Sequence, residues 1–319
     1  MALKPLKTKR NWMEAVLDEF YAQIVARLER DELIPAYKRS MHLEYVATVV
    51  DGLSGPWCGR DRRRACEAAV AGAVAYHDRV VRVNGSVCPL GKHHDMLHVM
   101  ARFAMDADAG PESVAALLTA IYTCEKTLEK LFEGAVVGSK VARMISGRWT
   151  DYGVTAAENR TALAFFLDRA TRARLLLDGR RMQDVRMQSY RATPVVVATA
   201  TGDAAAVALL LRYGAAERSV RAAIAYLRNT ADHGDRPLGA GAQACMDVLL
   251  RAVVSEHGST GHDDDDHRCD DPVTRTPPSL MHLARCAVRN ALHENFRLPH
   301  GIPHLPVPRS LASYLDLEH

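Results

Sequence analysis

The chain has 319 residues, of which 48% are hydrophobic and 25% are charged, a balance typical of one or two globular domains. These proportions exclude a largely disordered or collagen-like chain, and no apolar run reaches the roughly 18 residues that a membrane-spanning helix needs. Lysine and arginine total 41 against 38 aspartates and glutamates, and the net charge of +3 gives no reason to expect nucleic-acid binding. Seven cysteines without close spacing predict reduced thiols and therefore a cytoplasmic protein.

The N-terminal region, residues 1–90, is predicted to be helical. Asn11 and Glu14 have the spacing of a capping box, and apolar residues recur at helical intervals after them. Two more helices are expected, one near residues 41–50 and an alanine-rich one over residues 62–80.

The segment that contains His94 and His98 has three interpretations. Four residues separate the two histidines, so a helix would place them on one face, as in the two-histidine zinc motif with Asp95 in place of its glutamate. Aspartate is shorter than the general base of that motif and no third ligand is evident, so no metal is expected. Residues 95–101 also fit the Thr-Pro-Leu-His-x-Ala start of an ankyrin repeat, in which His98 would stabilise a turn. A bare helical pair is the third interpretation.

The repeat interpretation predicts a second helix over residues 112–123, after a connection from Phe103 to Pro111 that is longer than the consensus. Further helices are expected around residues 131–145 and 161–177. The inward face of the 112–123 helix should consist of Val114, Leu117, Leu118 and Ile121.

The clearest repeat signal lies at residues 193–215. The Thr193 hydroxyl can cap a helix that has Pro194 in its first turn. Gly202 allows a tight turn between two helices, and Gly214 ends the second helix. This spacing is typical of an ankyrin repeat. The residues in register are Thr193, Pro194, Ala198, Gly202, Val207, Leu210, Gly214 and Ala215.

We therefore predict an all-α fold in which residues 91–254 form a short, irregular ankyrin-type helical solenoid. A single repeat cannot bury its own apolar face, so the N-terminal helices are expected to cap the stack. Segments near residues 219–227 and 242–254 are candidates for one more repeat, with a long, glycine-rich connection between them.

Residues 255–277 include four consecutive aspartates and few apolar residues, which predicts a flexible acidic linker. The spacing of three histidines and a cysteine in it is one that zinc can use, but a solvated loop without a metal is the favoured interpretation. These four residues are His257, His262, His267 and Cys269.

Residues 278–319 contain three elements in a fixed order. Ser279 is a candidate N-cap for an amphipathic helix. A proline-rich turn follows over residues 298–308, and a short helix over residues 310–317 comes last. The apolar face of the first helix should consist of Leu280, Leu283, Ala284, Ala287, Val288 and Leu292.

These elements resemble a SOCS box, whose pattern is a Ser-Leu-x-x-Leu-Cys-Arg helix, an Ile-x-x-Leu-Pro-apolar-Pro turn, and a short third helix ending in Tyr-Leu. Together with residues 193–215, they make the chain similar to the ankyrin repeat and SOCS box proteins. One position departs from the pattern: Ala284 stands where the family has cysteine, and Cys286 should face another side of the helix.

The resemblance implies a non-catalytic substrate receptor of a cullin–RING ubiquitin ligase, without a cofactor. It implies that the helix binds elongin C, and elongin B with it, that the turn binds cullin five with its RING protein, and that the ankyrin region holds an unknown protein substrate. The implied elongin-binding residues are Leu280, Leu283, Ala284 and Val288. The implied cullin-binding residues are Ile302, Leu305, Pro306, Val307 and Pro308.

Two other functions stay open. If the C-terminal helix packs on the repeats as a cap, the protein is an ankyrin-type scaffold with no ligase link. A hydrolase using His94 and His98 is the least favoured, since the sequence has no phosphate-binding loop, nucleophile elbow or paired catalytic carboxylates.

Overall fold

The computed structural model describes residues 12–19, 48, 59–83, 92–137, 156–232, 238–254 and 278–318. These residues form α-helices and short 3-10 turns, with isolated β-bridges and no strand, which confirms the predicted all-α class. None of the helices in these ranges is long and apolar enough to cross a bilayer. The predicted linker and its four candidate zinc ligands lie outside the described residues, as does the helix predicted near residues 41–50, apart from Thr48.

The chain forms two compact units, Met1–Met182 and Gln183–His319. In the first unit, the long helix α2 packs on α1, α3 and α4, and α6 packs on α4 and α5. Apolar side chains from these helices, Phe132 and Phe166 among the largest, fill its core. Its helices are α1 (Trp12–Glu19), α2 (Gly59–Val83), α3 (Lys92–Asp106), α4 (Pro111–Glu125), α5 (Glu129–Val136) and α6 (Ala156–Arg172).

Two of the predicted helices of the first unit are confirmed by α2 and α4, and the four predicted inward residues of α4 are buried. The predicted long connection from Phe103 to Pro111 is wrong. Helix α3 continues to Asp106, and Asp108, with a φ of 51°, ends it in the left-handed conformation. The turn role of His98 is also wrong, because His98 lies in the middle of α3.

In the second unit, consecutive helices form two stacked pairs. Helix α7 packs on α8, and the next pair adds α9 against α7 and α10 against α8. The additional helical pair predicted after residue 215 is confirmed by α9 and α10. The helices of this unit are α7 (Pro194–Ala200), α8 (Ala204–Arg212), α9 (Glu217–Asp232), α10 (Ala240–Leu250), α11 (Leu280–Glu294) and α12 (Arg309–Leu315).

Backbone signals place the α7–α8 pair largely as predicted. Pro194 begins α7, and Gly202 and Gly214 follow α7 and α8 with φ values of 72° and 79°. Asp203, which the sequence analysis did not single out, caps α8 by accepting a hydrogen bond of 2.9 Å from the amide of Ala206. Three predicted structural residues of this pair are buried in its core: Ala198, Val207 and Leu210.

The predicted cap by the Thr193 hydroxyl is wrong. Thr193 stands at the N-cap position of α7, but its hydroxyl is buried and makes no cap hydrogen bond. The first turn closes instead through the Thr193 carbonyl, which accepts hydrogen bonds from the amides of Val196 and Val197.

Candidate functional site

Helix α11 begins at a side-chain cap. The Oγ atom of Ser279 accepts a hydrogen bond of 3.2 Å from the amide of His282, which confirms Ser279 as the N-cap. The cap leaves the first helical residues, Leu280 and Met281, exposed to solvent by 84% and 51%.

The apolar side of α11 is divided between two environments. Leu280 and Leu283 remain exposed, the latter by 37%. The small residues Ala284, Ala287 and Ala291 follow them at helical spacing and are exposed as well. We call these five residues the exposed stripe. The predicted apolar face is therefore only partly open to solvent.

The other predicted members of that face, Val288 and Leu292, pack on a small core. Its centre consists of Leu298, Ile302 and Leu315, which are buried. This core joins α11, the 3-10 turn Ile302–His304 and α12 into one folded segment. The partly buried residues around the centre are Val288, Leu292, Leu305, Val307 and Ala312.

The residues predicted to bind cullin five have different exposures. Ile302 lies in the centre of the small core, and Leu305 and Val307 are partly buried against it. Pro306 and Pro308 are exposed. The turn thus presents its prolines to solvent and uses its larger apolar side chains for packing.

Arginine side chains hold the opposite side of α11 to the helical pairs. The Arg289 guanidinium donates hydrogen bonds to the carbonyl of Leu315, at 2.7 Å, and to the carbonyl of Leu211 in α8. Burial lowers the pKa of Arg289 to about 10, so the side chain stays charged at neutral pH. Arg212 of α8 forms an ion pair with Asp316.

A second buried arginine, Arg285, lies on the same side of α11 as Arg289. Its guanidinium carbon lies 4.1 Å from the centroid of the Tyr314 ring, and its Nη2 atom lies 2.8 Å from Nδ1 of His282. Nε2 of His282 lies 2.9 Å from the Val253 carbonyl, just after α10. The roles of these two arginines were not predicted from the sequence. Their spacing of four residues on a leucine-rich helix is the signal that could have found them.

Cys286 lies on the buried side of α11, whereas Ala284 lies on the exposed stripe. This arrangement confirms that Cys286 does not face the same way as Ala284. Burial raises the pKa of the Cys286 thiol.

The first unit contains a separate cluster of buried polar groups. The Nε2 atoms of His94 and His98 lie 2.6 and 2.8 Å from the same oxygen of Glu125, Oε1. Lys130 Nζ donates to this oxygen from 2.8 Å. Burial lowers the pKa of His98. Burial alone would raise the pKa of Glu125, but the hydrogen bonds from His94 and His98 hold it well below its usual range.

Comparison with known proteins matches residues 276–316 to the SOCS box family. A segment of 46 residues is 46% identical to human Ankyrin repeat and SOCS box protein 10. This match covers 14% of the chain and only 9% of that relative's length. No solved structure matches the chain. The predicted SOCS box is thus confirmed for the C-terminal segment.

Proposed function

We propose that this protein is a cytoplasmic substrate-recognition subunit of a cullin–RING ubiquitin ligase. The observation that carries the proposal is the 84% exposure of Leu280 at the start of a helix whose opposite side is already buried. An apolar helix side that is open to solvent suits insertion into a groove of a partner protein. We propose elongin C, with elongin B, as that partner.

The energetics favour binding through the exposed stripe. Burial of a leucine side chain contributes about 1.5–3 kcal/mol, and Leu280 and Leu283 are both available. Arg285 stacks on Tyr314, and Arg289 donates to the carbonyls of Leu315 and Leu211, so α11 is already held in place in the unbound chain. Little backbone ordering therefore opposes association. Val288, which packs on the small core, would support the helix beneath the stripe.

We further propose that the turn after α11 binds cullin five with its RING protein. The exposed Pro306 and Pro308 would make this contact, supported from below by Ile302, Leu305 and Val307. The helical pairs, taken as degenerate ankyrin repeats, would hold an unknown protein substrate. In this proposal the chain has no catalytic residue, and ubiquitin transfer belongs to the recruited subunits.

We propose that, within the ankyrin repeat and SOCS box proteins, the chain resembles the seventeenth member in organisation. That resemblance rests on the small number of degenerate repeats and on the ending Pro308 to Glu318. These features include residues outside the 46-residue match to Ankyrin repeat and SOCS box protein 10.

The alternative is an ankyrin-type scaffold whose tail is docked on its own repeats. Contacts of Arg289 with Leu211 and of His282 with Val253 favour it, because they fix α11 to the helical pairs. The same contacts are also compatible with elongin binding, because the docked side and the exposed stripe are different sides of the helix.

The test is co-expression of the full chain with elongins B and C, followed by size-exclusion chromatography. We expect a 1:1:1 complex that Leu280→Asp abolishes, because a buried carboxylate has no partner in an apolar groove. Leu176→Asp is the matched control, since Leu176 is 51% exposed and lies far from α11 in the chain.

A complex with Leu176→Asp but not with Leu280→Asp would support the receptor. A folded wild-type chain that elutes as a monomer in the presence of both elongins would overturn it and leave the scaffold. Circular dichroism of each variant separates a lost contact from a lost fold.

A further inference from the structure

Three helices of the first unit bring metal-binding side chains together. His94 and His98 lie one turn apart on α3, Glu125 ends α4, and His77 lies on α2. The ligand atoms of His94, His98 and Glu125 lie within 4.8 Å of one another. Those of His77, His94 and Cys124 do so as well.

All three side chains of the first group are almost fully excluded from solvent, with exposures of 1%, 2% and 4% for His94, His98 and Glu125. Both imidazoles direct Nε2 towards the same carboxylate oxygen. The Nδ1 atoms of both rings are buried without a hydrogen-bond partner in the described part of the chain. These Nδ1 atoms are not the ones that face Glu125, so the site rests on the convergence of the two Nε2 atoms on Oε1.

We propose that His94, His98 and Glu125 bind a structural zinc ion. Imidazole nitrogen and carboxylate oxygen are zinc ligands, with Zn–N and Zn–O distances of about 2.0–2.2 Å, which place neighbouring ligand atoms of a tetrahedron about 3.4 Å apart. The Nε2–Oε1 distances of 2.6 and 2.8 Å are shorter than this by less than about 1 Å. A small rotation of the side chains would therefore open the space for the ion.

The groups around the three ligands are compatible with the ion. Lys130 would have to leave Oε1, and its side chain is 35% exposed, so the ammonium group can move into water. Cys124 Sγ and His77 Nε2, 3.5 Å apart, lie next to His94. They place a further thiol and a further imidazole beside His94, on which the proposed ion depends.

The burial of the ligands indicates a structural role. A catalytic zinc keeps a position open to water and substrate, whereas these side chains are closed to solvent. Two ligands lie on α3 and one at the end of α4, so the ion would fasten the two helices to each other. The sequence predicts no metal here, because no third ligand is evident near the two histidines. The third ligand, Glu125, lies 27 residues beyond His98.

The test uses the full chain, freed of metal with a chelator and desalted. After incubation with Zn²⁺ and a second desalting, we expect one zinc ion per chain by mass spectrometry of the elements. Zn²⁺ should raise Tm by about 5 °C or more, whereas Mg²⁺ should not, because it prefers oxygen ligands. A zinc content well below one ion per chain would overturn the proposal.

Variants locate the ion. His98→Asn and Glu125→Gln are expected to lose the bound zinc, whereas His300→Asn, in the other unit, should retain it. Equal zinc content in all three variants would overturn the assignment. If the first two variants fail to fold, Co²⁺ bound to the wild-type chain provides the second measurement. It should give the visible absorption of a tetrahedral site, and Zn²⁺ should remove it. Absence of that band would contradict the proposal.

Discussion

Gly214 is required for two reasons at once. Its φ of 79° is a conformation that side chains disfavour, and a Cβ atom there would lie 2.5 Å from Cδ2 of His293 and 3.2 Å from Cδ1 of Leu298. The same residue thus ends α8 and allows α11 to approach it closely.

Replacement of Gly214 by alanine should lower the free energy of unfolding by about 2–3 kcal/mol, because the strain of a positive φ adds to the displacement of His293. Chemical denaturation followed by circular dichroism measures the change. Gly179→Ala is the control, since Gly179 has a φ of 73° but nothing within 4 Å of the added Cβ. Equal losses in the two variants would show that the contact with His293 contributes nothing.

Ala284 is the residue at which the chain departs from the SOCS box pattern. It is exposed on the stripe, so cysteine fits there without disturbing the buried side of α11. If the stripe binds elongin C, Ala284→Cys should tighten binding by about 1 kcal/mol, roughly five-fold in Kd, through added burial of the sulfur atom. Calorimetric titration measures it. An unchanged Kd would place position 284 outside the interface, and weaker binding would show that the partner has no room for the sulfur atom there. Ala291→Cys serves as the comparison at the far end of the stripe.

At the scale of elements, both a charged side chain and apolar contacts hold α11 in place. The Arg289 guanidinium bridges the carbonyls of Leu315 and Leu211 and so joins α11 and α12 to α8, which lies much earlier in the chain. The apolar residues of the small core complete the segment, and one of them, Leu298, lies next to Gly214 at the end of α8.

We expect Arg289→Met to destabilise the chain by about 1–3 kcal/mol, because two buried carbonyls lose their donor while the volume of the side chain is kept. Thermal unfolding measures the loss. The exposed Arg309→Met should change stability by no more than about 0.5 kcal/mol. An equal, small effect of both substitutions would mean that relief of charge burial offsets the lost hydrogen bonds.

At the scale of the whole molecule, the second unit combines the stacked helical pairs with the SOCS box. The box alone has a core centred on three buried residues, which is too small for independent stability. Its contacts with α8 and with Val253, just after α10, supply part of what it lacks, and they leave the stripe exposed.

The order and the ends of many helices could be predicted because their signals are local. Ser279, Gly202 and Gly214 act on hydrogen bonds and φ angles within a few residues of themselves, so their roles are readable along the chain. The failure at Thr193 shows the limit of such signals: the residue has the right position, but the packing around it directs its hydroxyl elsewhere.

The all-α class, the helical pair at residues 193–215 and the C-terminal box with its leucine-rich helix could be predicted from local patterns in the sequence. Which side of that helix is buried depends on tertiary packing, because periodicity cannot distinguish a side that packs on α8 from one that stays exposed. The tertiary structure also brought Glu125 to His94 and His98. Their contact depends on the packing of α3 on α4, and no spacing along the chain encodes where two helices cross.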